Sequence, residues 1–150
     1  MDERNNDAIS TLNSLIETCN DGAKGFETAA EEVHDTAARE LFRQFASERS
    51  QFADQLRTEV QRLGGSPDQG GSVSGAMHRG WMNVKSAVAG HDDSAIIAEA
   101  ERGEDVAVAS YQRALHSNLP PDVQPTVQRQ FANVKAAHDR VRELEKNYPR

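Results

Sequence analysis

Residues 6–33 read NDAISTLNSLIETCNDGAKGFETAAEEV, and this stretch decides the fold class. Its apolar or small residues recur alternately every three and every four positions, which is the spacing of the narrow stripe on one face of a bundle helix. The stripe consists of Ile9, Leu12, Ile16, Cys19, Ala23, Phe26 and Ala30. The stretch therefore predicts an all-α protein whose first helix packs against other helices.

Three further stripes with helical spacing follow along the chain, and each contains polar residues among apolar ones. The second is Leu41, Phe45, Glu48, Phe52, Leu56 and Leu63. The third is Ile97, Ala100, Glu104, Val108, Tyr111 and Leu115. The fourth is Val127, Phe131, Val134, His138, Val141, Glu145 and Tyr148. The pattern predicts a four-helix bundle with ionisable groups turned inward.

Turn and cap residues divide the chain into two pairs of helices. Asp35 or Thr36 can cap the second helix, residues 64–67 (Gly-Gly-Ser-Pro) end it, and residues 92–94 (Asp-Asp-Ser) can cap the third. We expect one domain over 1–150, with antiparallel hairpins at 1–64 and 92–150. The crossover between them, 65–91, carries a short fifth helix from about Ser74 to Val88. Such a long connection can return to the starting end of the bundle, which makes the second and third helices parallel.

Composition narrows the class of partners. The 150 residues carry a formal charge of −7, which is the wrong sign for displacing counterions from nucleic acid. The sequence has no run of about 18 apolar residues and does not open like a signal peptide, so we expect no membrane partner and a cytoplasmic location. Self-association into a homodimer through helix faces is the interaction that such a bundle favours.

Several short motifs resemble one known group of proteins. They are Asp21-Gly22 with Gly25-Phe26, His78-Arg79-Gly80-Trp81, Glu101-Arg102-Gly103-Glu104-Asp105 and Ala137-His138-Asp139-Arg140. Through them the chain resembles, over nearly its whole length, a bacterial family of uncharacterised four-helix-bundle proteins in the ferritin-like superfamily. The resemblance implies a ferritin-like bundle of two antiparallel hairpins joined by a long crossover.

Two inward carboxylates are the leading candidates for chemistry. Glu48 lies 12 residues after Thr36, and Glu104 lies 12 residues after Asp92, so parallel helices place the two groups at one level. Buried carboxylates must share a proton, pair with a cation or bind a metal. We predict metal ligands at Glu48, Glu104 and His138. The secondary candidates are Asp21, Gln51 and Glu101.

The resemblance adds a ligand pattern and an expected metal, iron or manganese. Di-iron members of the superfamily take one Glu from each of two helices and a Glu-x-x-His motif from each of the other two. Glu104 with Tyr111 seven residues later matches a single-Glu helix. Elsewhere Cys19 replaces the first-helix Glu, Gln51 replaces one His, and Lys135 stands at the Glu position before His138.

Three functions stay open from the sequence. The favoured one is a non-catalytic structural, regulatory or stress-related bundle with a degenerate metal site, in which Arg49 or Arg102 holds Glu48 in a buried ion pair. The alternative is a metal-binding protein that uses Glu48, Glu104 and His138, and the third is a redox enzyme. No phosphate-binding glycine loop, Ser-His-Asp set or Cys-x-x-Cys pair supports another enzyme class, and no catalytic residue is predicted.

Overall fold

A computed structural model describes residues 3–67 and 92–148, which form four α-helices. They are α1 (Glu3–Glu32), α2 (Thr36–Arg62), α3 (Asp93–His116) and α4 (Gln124–Lys146). The all-α four-helix bundle predicted from the stripes is confirmed. The predicted fifth helix falls within residues 68–91, which lie outside the described residues.

The predicted caps explain where the helices begin and end. The Asp35 carboxylate accepts from the backbone N–H of Ala38 at 2.8 Å at the start of α2, and the Asp92 carboxylate accepts from that of Ser94 at 3.0 Å at the start of α3. These bonds satisfy amide groups that have no partner in the first helical turn. Gly64 follows α2 with φ of 86°, a left-handed conformation that favours glycine.

Contacts between the helix ends fix the topology of the bundle. Asn13 Nδ2 donates to the carbonyl of Ser66 at 3.2 Å, so α2 runs back along α1. The Asp93 carboxylate accepts from the backbone N–H groups of His34 and Asp35, both at 2.9 Å, which places the start of α3 beside the turn between α1 and α2. α2 and α3 therefore begin at the same end of the bundle and run parallel, as predicted.

The four helices form a square in cross-section. α1 packs against α2 and α3, and α4 packs against α3 and α2. α2 and α3 therefore lie diagonally opposite each other, across the centre of the bundle. A side chain from α2 needs a long reach to meet one from α3.

The buried apolar residues form two clusters at different heights. One contains Leu12, Ile16, Phe52, Leu56, Tyr111, Val127 and Val134, and the other contains Phe26, Phe42, Phe45, Ile96, Ile97, Ala137 and Val141. The segments of α2 and α3 between the clusters carry buried Arg49 and Glu104. A polar layer thus divides the core.

On α2 and α4 some positions of the predicted stripes are replaced by a neighbouring residue, although the other apolar members are buried as predicted, namely Phe45, Phe52, Leu56, Val127, Val134 and Val141. In α2 the buried residue is Arg49, whereas Glu48 is only half-buried. In α4 Gln130 and Ala137 are buried, whereas Phe131 and His138 are half-buried. One residue is 100° of helix, so two neighbours can both border the core, and packing decides which one enters it.

Among residues 3–67 and 92–148, no helix combines the length and the apolar character that crossing a membrane requires.

Candidate functional site

The centre of the bundle holds an ion pair between diagonal helices. Arg49 Nη2 on α2 donates to Glu104 Oε2 on α3 at 2.6 Å, and the two side chains are 1% and 0% exposed. Charge-assisted bonds of this length are among the stronger hydrogen bonds in proteins. The guanidinium therefore supplies the positive charge that a buried Glu104 needs.

The surroundings of Arg49 are shaped to hold a guanidinium. The Phe26 ring lies beneath it, with 5.5 Å between the Arg49 Cζ atom and the ring centroid, a cation–π geometry. Gly22 gives it room, since a Cβ atom at that position would lie 3.2 Å from Arg49 Nη1. Burial disfavours the charged form, but the Glu104 carboxylate outweighs burial and raises the pKa of Arg49 above its ordinary value. Arg49 is therefore a fixed internal cation.

Glu48 borders this layer without joining the ion pair. Burial raises its pKa, Arg49 acts in the opposite direction, and the negative charge of Glu104 adds to the rise. Glu48 Oε1, Glu104 Oε1 and Arg49 Nε are buried atoms with no hydrogen-bond partner in the part of the chain that the structure describes.

A chain of hydrogen bonds crosses the bundle beside the ion pair. Tyr111 on α3 donates to Gln130 Oε1 on α4 at 2.7 Å, and Cys19 Sγ on α1 lies 3.2 Å from the Tyr111 hydroxyl oxygen. Gln130 Nε2 in turn donates to Gln55 Oε1 at 2.9 Å and to the carbonyl of Phe52 at 3.3 Å, both on α2. Every helix of the bundle thus contributes a group to one polar network.

Burial keeps the Cys19 thiol protonated. Cys19 is fully buried, and burial raises the pKa of its thiol to about 11, although the hydrogen bond to Tyr111 acts in the opposite direction. A thiol needs its thiolate form to act as a nucleophile or a metal ligand. Its position in the core agrees with its place in the predicted stripe of the first helix.

A second polar cluster lies on the outer side of the α3–α4 hairpin. His138 Nε2 is 2.7 Å from Asp105 Oδ1, and His138 Nδ1 is 3.2 Å from Asp139 Oδ1. Glu101 stands one helical turn before Asp105 and is 3.4 Å from Arg142 Nε through its Oε1 atom. Burial alone lowers the pKa of His138, but the hydrogen bonds to Asp139 and Asp105 together raise it above the ordinary value.

The structure divides the predicted metal ligands between these two places. Glu104 faces Arg49 in the core, with Glu48 near it, whereas His138 and Glu101 belong to the outer cluster. Asp21 is buried on α1, and Gln51 is exposed on α2. Within the described ranges, Glu101, Asp105 and His138 are the one group of three or more acidic, His or Cys side chains with donor atoms close enough to share an ion. Glu48, Glu104 and His138 do not form such a group.

Sequence reasoning missed Arg49 and Asp105 as parts of these sites. The sequence suggests Arg49 only as a partner for Glu48. Asp105 follows Glu101 by four residues, so both side chains lie on one face of α3, and this spacing was the available signal.

Comparison of the whole fold places it in a known class. A mutant of Dps1 from Mycobacterium smegmatis superposes with a TM-score of 0.74 at 14% sequence identity, covering 97% of this chain and 99% of that one. The protein is thus a ferritin-like four-helix bundle. By sequence, the chain belongs to the family described as Domain of unknown function (DUF2383), which matches residues 7–117. No curated protein matches the chain significantly.

The inner layer does not fit the di-metal centre that the superfamily suggests. Such a centre needs several carboxylate and imidazole ligands that converge from all four helices. Here the position facing Glu104 is taken by the Arg49 guanidinium, and Cys19 is hydrogen-bonded to Tyr111. A positively charged side chain at 2.6 Å from Glu104 Oε2 competes directly with a cation for that carboxylate.

Proposed function

We propose that the protein is a non-catalytic ferritin-like bundle with a structural, regulatory or stress-related role. The observation that carries this proposal is the Arg49–Glu104 pair, buried at 2.6 Å in the centre of the core. A ferritin-like fold with an internal arginine keeps the bundle and its polar layer, but replaces an exchangeable metal with a permanent charge. The layer then serves to specify how the helices pair.

The network around the ion pair supports a structural role. Cys19, Tyr111 and Gln130 satisfy one another across three helices, and Gln130 reaches the fourth. Buried polar groups that pair only in one arrangement can disfavour alternative registers of a bundle. Stability is a secondary effect, since a buried ion pair must first offset the cost of desolvating both charges.

A second candidate function is metal binding in the core through Glu48 and Glu104, with His138 as the third predicted ligand. Its support is the unpaired Oε1 atoms of Glu48 and Glu104, together with the raised pKa of Glu48. Two buried acceptors without donors are a place where a cation would gain binding energy. A metal there would have to displace the Arg49 guanidinium from Glu104, and His138 would have to leave Asp105.

Iron chemistry tests the non-catalytic role. Fe(II) is added to the purified protein in air, and oxygen consumption is compared with that of buffer, for the wild type and for Glu104→Gln and Glu48→Gln. We expect the same rate of oxygen consumption in all four samples. Iron oxidation that is faster with wild-type protein and returns to the buffer rate in Glu104→Gln would contradict a non-catalytic role. Glu48→Gln provides the same comparison at a half-buried position, where loss of folding is a smaller risk.

The quaternary state is a separate part of the proposal. Self-association into a homodimer through helix faces stays a prediction, and light scattering on the purified chain across a range of concentrations tests it. A molar mass of one chain at every concentration would count against an assembly role.

A further inference from the structure

Three side chains with metal-ligating atoms lie together on the α3–α4 hairpin, and none of them belongs to the Arg49–Glu104 ion pair. Glu101 and Asp105 project from α3, and His138 projects from α4 toward them. One donor atom from each residue lies within 4.8 Å of the others. That spacing is small enough for one ion to lie among the three after modest side-chain rotation. From this geometry we propose that Glu101, Asp105 and His138 form a binding site for a divalent transition-metal ion that links α3 to α4.

The orientation of His138 is an observation independent of that spacing. Its Nδ1 atom faces the Asp139 carboxylate at 3.2 Å, while its Nε2 atom faces Asp105. Histidines that bind metals usually donate their other ring N–H to a carboxylate or carbonyl, which fixes the tautomer and the ring orientation. Asp139 is placed to do this. The Nε2 atom donates to the Asp105 carboxylate at 2.7 Å, and it gives up that proton when an ion binds between the two groups.

Two of the three side chains are mostly buried, and the third is open to solvent. The side chains of His138 and Glu101 are 12% and 16% exposed, and that of Asp105 is 57% exposed. Two ligands are thus held by packing, and the third opens to solvent. An ion can enter on the Asp105 side without any movement of the core.

Charge favours a cation at this position. Three carboxylates, on Glu101, Asp105 and Asp139, surround the imidazole. The competing cation is Arg142, whose Nε atom lies 3.4 Å from Glu101 Oε1, at the long end of hydrogen bonding. Its side chain is 58% exposed, so it can swing into solvent when an ion binds. This differs from the core, where Arg49 has nowhere to go.

The donor set selects the class of ion. One imidazole nitrogen and two carboxylates match Zn²⁺, Co²⁺, Mn²⁺ and Fe²⁺, whereas Mg²⁺ and Ca²⁺ prefer oxygen ligands alone. Three protein ligands leave further coordination positions for water. Among these ions, sites with nitrogen and oxygen ligands generally bind Zn²⁺ more tightly than Mn²⁺. The site is therefore expected to favour Zn²⁺ over Mn²⁺ and to discriminate strongly against Mg²⁺.

Co²⁺ is a suitable probe, because its visible absorption reports ligand binding, and Zn²⁺ competes for the same donors. The full chain is titrated with Co²⁺, and bound Co²⁺ is then displaced with Zn²⁺. We expect saturation at one ion per chain. His138→Gln should weaken the affinity at least about tenfold, and Asp139→Ala should weaken it by about 10-fold to 100-fold through loss of ring orientation.

Matched variants separate this site from other binding. His116→Gln removes another α3–α4 hairpin histidine, one that is exposed and hydrogen-bonded to the Gln112 carbonyl, and it should leave the titration unchanged. Glu48→Gln should also leave it unchanged, because Glu48 belongs to the inner layer. No saturable uptake of Co²⁺, or equal uptake by wild type and His138→Gln, would overturn the inference. Uptake that is lost in Glu48→Gln but kept in His138→Gln would overturn it as well, and would instead point to a site at Glu48 and Glu104 that does not use His138.

The bound metal should also stabilise the α3–α4 hairpin against unfolding. An ion that binds only the folded hairpin raises the unfolding temperature by mass action. We expect excess Zn²⁺ to raise the unfolding temperature of wild type and of His116→Gln, but not that of His138→Gln. An equal shift in all three proteins contradicts the proposal. Because these readouts do not involve Glu104 or oxygen, they can fail while the proposed function stands, and the reverse also holds.

Discussion

Arg49 on α2 reaches diagonally across the bundle to Glu104 on α3. The distance from Arg49 Nη2 to Glu104 Oε2 is 2.6 Å, and the two side chains are 1% and 0% exposed to solvent. The pair lies between two apolar clusters, so each charge is the principal electrostatic partner of the other. Four predictions follow from this layer and its neighbours.

The first concerns removal of one member of the pair. Arg49→Met or Glu104→Leu should each lower the free energy of unfolding by about 3–5 kcal/mol, because the remaining group stays buried without its partner. The double variant Arg49→Met/Glu104→Leu should lose much less than the sum of the two single losses. Urea denaturation measures all of these values. Lys146→Met removes an exposed ion pair with Glu143 and should change stability by no more than about 1 kcal/mol. Additive losses in the double variant would contradict strong coupling.

The second concerns the space beside Arg49. In an ordinary helix interior, Gly→Ala stabilises by about 1 kcal/mol. At Gly22 the new methyl group would lie 3.2 Å from Arg49 Nη1, so Gly22→Ala should bring none of that gain or should destabilise the protein. In an Arg49→Ala background the same change should recover the gain. Thermal or urea unfolding of the four proteins gives the comparison. A full gain in the wild-type background would mean that Arg49 moves aside without cost.

The third concerns the reactivity of Cys19. Because burial raises the pKa of the thiol to about 11 and encloses the sulfur atom, the folded protein should react with a thiol-specific disulfide reagent very slowly at neutral pH. The reaction should become fast and stoichiometric in denaturant. Addition of Zn²⁺ should not increase the rate at which the folded protein reacts with this reagent. A rapid reaction of the folded chain would place Cys19 in an accessible, activated environment.

The fourth concerns pH and Glu48. The native pKa of Glu48 is raised chiefly by burial, with Glu104 adding to the rise against the effect of Arg49. The native state thus holds this proton more tightly than the unfolded state does. The contribution of Glu48 to stability therefore falls as pH rises from the unfolded pKa through the raised native pKa, and it stays lower above that range.

Glu48→Gln removes that titration. The free energy of unfolding of Glu48→Gln minus that of wild type should rise between pH 4 and pH 7. Urea unfolding at a series of pH values measures this difference. Glu40→Gln, an exposed position on the same helix, should show a nearly constant difference over the same range. A falling difference for Glu48→Gln would mean that Arg49 dominates and that Glu48 is held as a charged group.

Much of the fold could be predicted because the stripes of α1 and α3 are simple. Cys19 and Phe26 on α1, and Glu104 and Tyr111 on α3, are buried as their spacing indicated. The caps at Asp35 and Asp92 and the break after α2 were local signals of similar strength. The parallel run of α2 and α3 followed from the length of the connection between them.

The composition of the polar layer could not be predicted to the same degree. Glu48 and Arg49 differ by 100° of rotation on α2, and both border the interior. Which one enters depends on Glu104 across the diagonal and on the room left by Gly22, and neither is near α2 in the sequence. Gln130 likewise displaced Phe131 from the inner face of α4 because it hydrogen-bonds to Tyr111 and Gln55.

The origin of the positive charge in the core also bears on how the protein is made in a cell. A bundle whose central carboxylate waits for a metal depends on delivery of that metal before it is complete. Here the counter-ion of Glu104 is a side chain of the same polypeptide, so it arrives with translation of α2, before α3 has been synthesised. The yield of native protein should therefore be insensitive to the supply of iron or manganese during growth.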